Sequence, residues 1–207
     1  MELNQKQIAI LQVAEKLFSE NGFDGTSVRQ IAKEAEINIA MISYYFGSKE
    51  KLLEALLFYR GSDFKMQIET ILYNENHGFL ETIDQVVEMV VRRIHNNRRI
   101  YKIVHFEFSN LGRTIDFENY INFKKQNFQI LERFIQEGQE AGVFSKNVNI
   151  PLIKTTILGS YFNLYYNKKF FQAMHNLQDQ FNFEEYVEKE LIPHIQQTIK
   201  ALLTYEV

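Results

Sequence analysis

Residues 27–46, Ser-Val-Arg-Gln-Ile-Ala-Lys-Glu-Ala-Glu-Ile-Asn-Ile-Ala-Met-Ile-Ser-Tyr-Tyr-Phe, constrain this chain more than any other stretch. Val28, Ile31, Ala32 and Ala35 recur at helical spacing and give a first short helix one apolar face. Ser27 is a favourable N-cap, and Gln30 three residues on completes a capping-box pattern. The pattern breaks over Ala35-Glu36-Ile37, after which Asn38 can cap a second helix with Ile39, Ile42 and Phe46 on one face. Met41, Ser43, Tyr44 and Tyr45 are left pointing elsewhere. A second helix that buries one face and offers small and hydroxylated side chains on the other suits a DNA major groove about 12 Å wide. The first helix of such a pair crosses the phosphate backbone. The plainer reading, an ordinary pair of core helices, leaves that outward surface without a use.

The flanks extend the pattern. Asn4 and Gln7 make a capping box for a helix striped by Ile8, Leu11, Ala14, Leu17 and Phe18, which Asn21-Gly22 ends and Phe23 can fold back upon. Ser48 caps a longer helix with Glu50 in its first turn, expected to run to about Leu72. Residues 8–57 resemble the DNA-binding domain of tetracycline-repressor-type (TetR/AcrR) regulators. The resemblance rests on Ala14, Leu17, Phe18, Gly22, Phe23, Thr26-Ser27, Ile31-Ala32, Ala35, Tyr45-Phe46, Ser48-Lys49-Glu50 and Leu52 in order. One residue departs from it: Glu36 stands where the family usually has Gly, at a turn that wants left-handed backbone, so either Glu36 accepts strain of roughly 1 kcal/mol or the turn differs.

The resemblance implies an all-α protein, a three-helix helix-turn-helix domain (1–50) followed by a larger helical effector-binding and dimerisation domain (51–207). It implies that Thr26 or Ser27, Tyr45 and Lys49 contact phosphates, and that Ile39, Ala40, Met41 and Tyr44 face base edges. Ser43 and Asn38 belong to the same surface. Hydroxyls, helix N-terminal amides and Lys position a duplex without reading it, whereas Ala and Met touch thymine methyls and Tyr or Ser hydrogen-bond base edges. Residues 37–46 contain no Arg or Lys, so Arg29 is the candidate for a guanine contact, with DNA shape supplying part of the specificity.

Composition narrows the rest. The 207 residues are 45% hydrophobic with two prolines and nine glycines, enough for a real core and for long helices almost throughout. There is no cysteine, hence no disulfide or thiol nucleophile, which fits a reducing cytoplasm. The polar N-terminus does not read as a signal peptide, and no apolar run approaches the ~18 residues of a membrane span. The five histidines show no i, i+4 pair, so no metal is expected. No cofactor motif and no catalytic constellation is visible, so an enzyme is not expected. The net charge of −3 does not advertise a nucleic-acid binder, but local placement of charge decides phosphate contacts.

Past the polar stretch 73–78, helices are expected over Phe79–His95, Arg98–Asn110, Asp116–Ala141, Pro151–Ala173 and 183–204, with a turn at Leu111-Gly112-Arg113 and a kink at Pro193. Asn149 and Asn182 are the expected caps of the last two. Arg92, Arg93, Arg98, Arg99 and Lys102 read as a solvated basic face. The eighteen Phe and eleven Tyr lie mostly after residue 58. Most pack a core, and an apolar effector pocket among them would draw on Tyr101, His105, Phe108, Phe123, Phe128, Tyr161, Phe162 and Tyr165.

By resemblance the last two long helices form a homodimer seam, with Leu152, Ile157, Leu191, Ile195, Ile199 and Leu202 as candidates. The helix from Ser48 would then be a rod linking effector to DNA. The expected function is a ligand-responsive DNA-binding transcriptional regulator, a repressor released from an inverted-repeat operator by a small lipophilic or aromatic effector. The alternative is a helical small-molecule-binding protein without specific DNA binding.

Overall fold

The computed structural model describes residues 3–74, 76–109, 117–174 and 182–205. All regular elements among them are helical: α1 (Gln5–Asn21), α2 (Val28–Glu34), α3 (Ile39–Phe46), α4 (Lys49–Gly61), α5 (Phe64–Leu72), α6 (Phe79–Asn96), α7 (Arg98–Ser109), α8 (Glu118–Glu140), α9 (Ile150–Tyr166), α10 (Lys168–Met174), α11 (Phe183–Tyr186), a π-helical turn (Val187–Leu191) and α12 (Ile192–Thr204). The chain divides into two compact units, Met1–Lys65 with Asn96–Asn127, and Met66–His95 with Phe128–Val207. The expected turn at 111–113 lies outside the described residues.

The first unit is built on α1. Both capping boxes form: Asn4 Oδ1 accepts from the Gln7 amide at 2.9 Å, and Ser27 Oγ from the Gln30 amide at 3.2 Å, with each glutamine returning to the cap's own N–H. Ile10, Leu11, Ala14 and Phe18 of α1 meet Ile31 of α2, Ile42 of α3 and Leu52, Leu53 and Leu56 of α4 in one core. Ile100 and Ile103 join it, because α7 packs against α1. Arg60 fixes α4 to α1, donating from Nε at 2.8 Å and Nη2 at 2.5 Å to Oε2 of the buried Glu15. Lys102 is not a solvated charge: its Nζ donates to the Ser19 carbonyl at 2.6 Å, near the end of α1, where the helix leaves acceptors unpaired.

Three expected helices are interrupted. The helix from Ser48 stops at Gly61 and restarts at Phe64, so it is not a continuous rod. A Cβ at Gly61 would stand 2.6 Å from the Phe123 ring, so glycine makes room there, and a Gly-Ser pair is a common point for a helix to break. The helix from residue 150 stops at Tyr166 because Asn167 turns its Nδ2 back onto the Asn163 carbonyl at 2.9 Å, competing with the ladder. Asn149 precedes that helix but makes no side-chain cap bond. At Pro193 the chain takes a π turn, with the Ile192 amide bonded to the Val187 carbonyl. Widening by one residue relieves the clash a proline ring makes with the carbonyl four residues back.

In the second unit Ile83, Val86, Val87, Val91 and Ile94 of α6 are buried, as are Ile153, Ile157 and Tyr161 of α9 and Ile192, Ile195, Ile199 and Leu203 of α12. Asp84 ties α6 to α12, its carbonyl accepting from Gln196 at 2.9 Å and its carboxylate pairing with Lys200 at 2.7 Å. Phe79, Phe134 and Phe144 meet with ring centroids 5.4–6.3 Å apart.

Candidate nucleic-acid interface and effector region

The corner between α2 and α3 closes through two bonds: the Glu36 amide donates to the Lys33 carbonyl at 3.2 Å, and the Ile37 amide to the Ala32 carbonyl at 3.0 Å. Glu36 itself sits at φ 54°, the one non-glycine left-handed residue among those described. It therefore accepts the strain, at a cost of about 1 kcal/mol or more relative to glycine. Asn38 Oδ1 accepts from the Ala40 amide at 2.9 Å and starts α3 in a fixed direction.

With Ile42 only 1% exposed, the opposite side of α3 faces out. Ile39, Ala40, Ser43 and Tyr44 are exposed there, spaced as neighbours on one helical face, and Tyr44 reaches 81%. Ile39 therefore does not share the buried face with Ile42. Met41 and Tyr45 are half-buried at its edge, the Tyr45 ring 5.2 Å from that of Tyr44. Ser27, Arg29 and Asn38 are exposed on the flank. No residue of α3 carries a formal charge.

Two expected phosphate contacts have internal partners. Thr26 is buried, and its hydroxyl lies 2.8 Å from the Gly22 carbonyl and 3.1 Å from that of Leu17. Of the Thr26-Ser27 pair only Ser27 is on the surface. Lys49 Nζ donates to the carbonyls of Phe23 (2.8 Å) and Thr26 (3.0 Å) and lies 4.2 Å from the Phe23 ring centroid. An ammonium has three N–H groups, so Lys49 clamps the loop before α2 with two and has one more to offer.

The eight aromatic-region candidates fall into two groups. In the first unit Tyr101 and Phe123 are half-buried and His105 and Phe108 exposed. Phe108 stacks on Phe117 at 4.6 Å, and Phe123 packs on Phe58 at 6.1 Å. In the second unit Phe128, Phe162 and Tyr165 are half-buried and Tyr161 is fully buried. Tyr161 belongs to a polar cluster: its hydroxyl lies 3.0 Å from His95 Nδ1, while His95 Nε2 meets the Glu184 carboxylate. A carboxylate only accepts, so Nε2 carries the proton and, in the neutral ring, Nδ1 accepts from the hydroxyl. Phe183 covers the His95 ring at 5.7 Å. Sequence reading singled out Tyr161 but not His95, since nothing local to His95 announces partners 66 and 89 residues away.

Four of the six seam candidates prove to be core: Ile157, Leu191, Ile195 and Ile199 are buried within the protomer. Leu152 and Leu202 remain, 54% and 46% exposed. They line an open groove of about 780 Å³ between α9 and α12, with Thr156, His194, Thr198 and Tyr205.

Helices α2 and α3 with the turn between them thus form a helix-turn-helix whose second helix turns an uncharged face outward. Residues 10–56 match the model of bacterial regulatory proteins of the tetR family, and residues 80–186 that of the tetracyclin repressor-like C-terminal domain. The chain belongs to the tetR family, whose members are DNA-binding transcriptional regulators. It is 37% identical over 137 residues to the probable HTH-type transcriptional regulator YttP of Bacillus subtilis (strain 168), covering 63% of each. It is 32% identical over 150 residues to the HTH-type transcriptional repressor NicS of Pseudomonas putida KT2440, covering 68% of this chain and 66% of that one. The matched stretch spans just under two thirds of the length of either relative. Among solved structures, a HlyIIR mutant aligns with a TM-score of 0.67 at 25% identity over 98% of both chains. FadR from Bacillus subtilis, solved in complex with stearoyl-CoA, shares the fold at TM-score 0.69 and 17% identity over 95% of this chain and 97% of that one. No helix among the described residues is long and apolar enough to cross a membrane.

Proposed function

We propose that the chain is a ligand-responsive transcriptional repressor, working in the cytoplasm, that binds an inverted-repeat operator as a homodimer and leaves it when a small lipophilic or aromatic effector binds. The observation that carries this reading is the outward face of α3, with Ile39, Ala40, Ser43 and Tyr44 exposed over a buried Ile42. A surface of methyls and hydroxyls without charge suits thymine methyls and base-edge hydrogen bonds. Ser27, Asn38, Tyr45 and the remaining N–H of Lys49 surround it with phosphate-positioning groups, and the exposed Arg29 is placed to supply a guanine contact. Residues 1–50 act on DNA in this reading, and 51–207 sense the effector and dimerise. One recognition helix covers too few base pairs for useful specificity, so two must act together. The groove lined by Leu152 and Leu202 is the face that a second copy would cover.

Selection of the full chain on random duplexes tests the proposal. It should yield an inverted repeat with half-sites about one helical turn, 34–36 Å, or a multiple apart. Adding an effector should weaken that complex by about 5–150-fold, the usual range of allosteric coupling, and the duplex must weaken effector binding by the same factor. If no sequence is enriched, the alternative of a helical small-molecule binder without specific DNA binding takes its place.

A further inference from the structure

The open aromatic group of the first unit contains a cation that its rings do not satisfy. Lys124, on α8, is half-buried, with Nζ 5.6 Å from the Phe108 ring centroid and 5.5 Å from that of Tyr120. Among the described residues no carboxylate lies within ion-pair distance of it. Cation–π contacts are worth about 0.5–2 kcal/mol each, but they supply no counter-charge to an ammonium partly withdrawn from water. Burial accordingly pushes the Lys124 ammonium below the ordinary lysine range. Three residues on, and so on the same side of α8, Asn127 is buried with an Oδ1 that has no hydrogen-bond partner among the described residues. A half-buried ammonium and a buried amide oxygen without a partner among the described residues stand beside rings that still face solvent, for Phe108 is 39% exposed.

We propose that Lys124 and Asn127 hold the head of an amphipathic organic anion, a carboxylate on an apolar chain or ring, whose body lies against Phe108, Phe117 and Tyr120. The carboxylate supplies the counter-charge that Lys124 lacks among the described residues. The orphan Oδ1 is an acceptor like the carboxylate, so the Asn127 amide turns over to donate its NH₂ to the second oxygen, which moves Oδ1 to the place the NH₂ held. A neutral lipophile would leave the ammonium as unpaired as before, so the site selects for charge as well as for apolar bulk. This inference rests on the effector reading above and narrows its ligand class.

The experiment is isothermal titration of the full chain with decanoate and 2-naphthoate, each against its neutral alcohol, decan-1-ol and 2-naphthol. At least one acid should bind more tightly than its alcohol. Lys124→Met should weaken that acid by roughly 10- to 100-fold, as for loss of a hydrogen bond to a charged group, while Lys124→Arg keeps most of the preference. The comparison of acid with alcohol on the unaltered protein needs no variant, so a misfolded Lys124→Met does not spare the inference. It is overturned if neither acid is preferred, or if folded Lys124→Met keeps the preference. Operator affinity measured on the same samples separates the two readings. Tight acid binding through Lys124 without any effect on the operator would sink the ligand-responsive reading and keep this site. Release by a neutral lipophile alone, unaffected by Lys124→Met, would do the reverse.

Discussion

Two tyrosine-rich stretches of this chain look alike on paper and do opposite things. Ser43-Tyr44-Tyr45-Phe46 ends α3, and Tyr161-Phe162-Asn163-Leu164-Tyr165-Tyr166 ends α9. On α3 the leading tyrosine stands out in solvent with its hydroxyl presented to whatever approaches. On α9 it is fully buried, hydrogen-bonded to His95 and stacked on Tyr165 at 6.0 Å. The neighbours decide the difference. α3 is a short helix held from one side through Ile42, so half its circumference is left over. α9 is met by α6, whose His95 supplies the polar partner a buried hydroxyl requires.

The contrast breaks most readily by truncation. Tyr161→Ala should cost about 3–5 kcal/mol, as for other large buried side chains. Tyr44→Ala should stay within about 0.5 kcal/mol, as at exposed sites. Urea unfolding followed by circular dichroism measures both, and comparable losses would erase the distinction. Tyr161→Phe sharpens it, keeping the packing and removing only the hydroxyl from His95, at an expected cost of about 1–3 kcal/mol. A third contrast concerns the groove. Leu202→Asp should leave the fold intact and yield monomer in sedimentation, whereas Ile195→Asp puts a charge into the protomer's own core and should unfold it.

The smallest effect is at Lys124, whose folded-state pKa lies below its unfolded value because burial disfavours the charge. The unfolded chain then binds the proton more tightly, so stability rises as pH climbs from the folded towards the unfolded value. Lys124→Met should therefore be the more stable protein at neutral pH, by the desolvation penalty less the lost ring contacts. Its advantage should shrink as the pH is raised through that window. A constant difference across pH would mean that Lys124 is not desolvated.

What could be read from sequence was local. Caps at Asn4, Ser27, Asn38 and Ser48 involve residues within a turn of one another, and all of them form, as do the apolar faces of α1, α2 and α4, whereas on α3 Ile39 turns outward. What escaped was set at a distance. The break after Gly61 answers to Phe123, more than sixty positions on. Thr26 and Ser27 look interchangeable until the carbonyls of Leu17 and Gly22 claim one of them. The apolar stripe of α12 was visible, but periodicity does not say whether its own unit or a second copy covers it. Ile195 and Ile199 went to the core, Leu202 to the surface. Residue type alone cannot separate the buried cluster at Tyr161 from the open wall at Phe108.

The central claim, that the outward face of α3 reads base pairs, is tested most directly by the Tyr44→Ala variant. Its affinity should be compared with the parent's on the selected operator, on that operator's single base-pair variants and on an unrelated duplex, at two salt concentrations. Tyr44 contributes no charge, so the account predicts an unchanged salt slope and little change on the unrelated duplex. It predicts a loss of discrimination of about 1–3 kcal/mol, roughly 5- to 150-fold, confined to the few positions Tyr44 touches. An equal loss on every sequence, or no change on any, would contradict it.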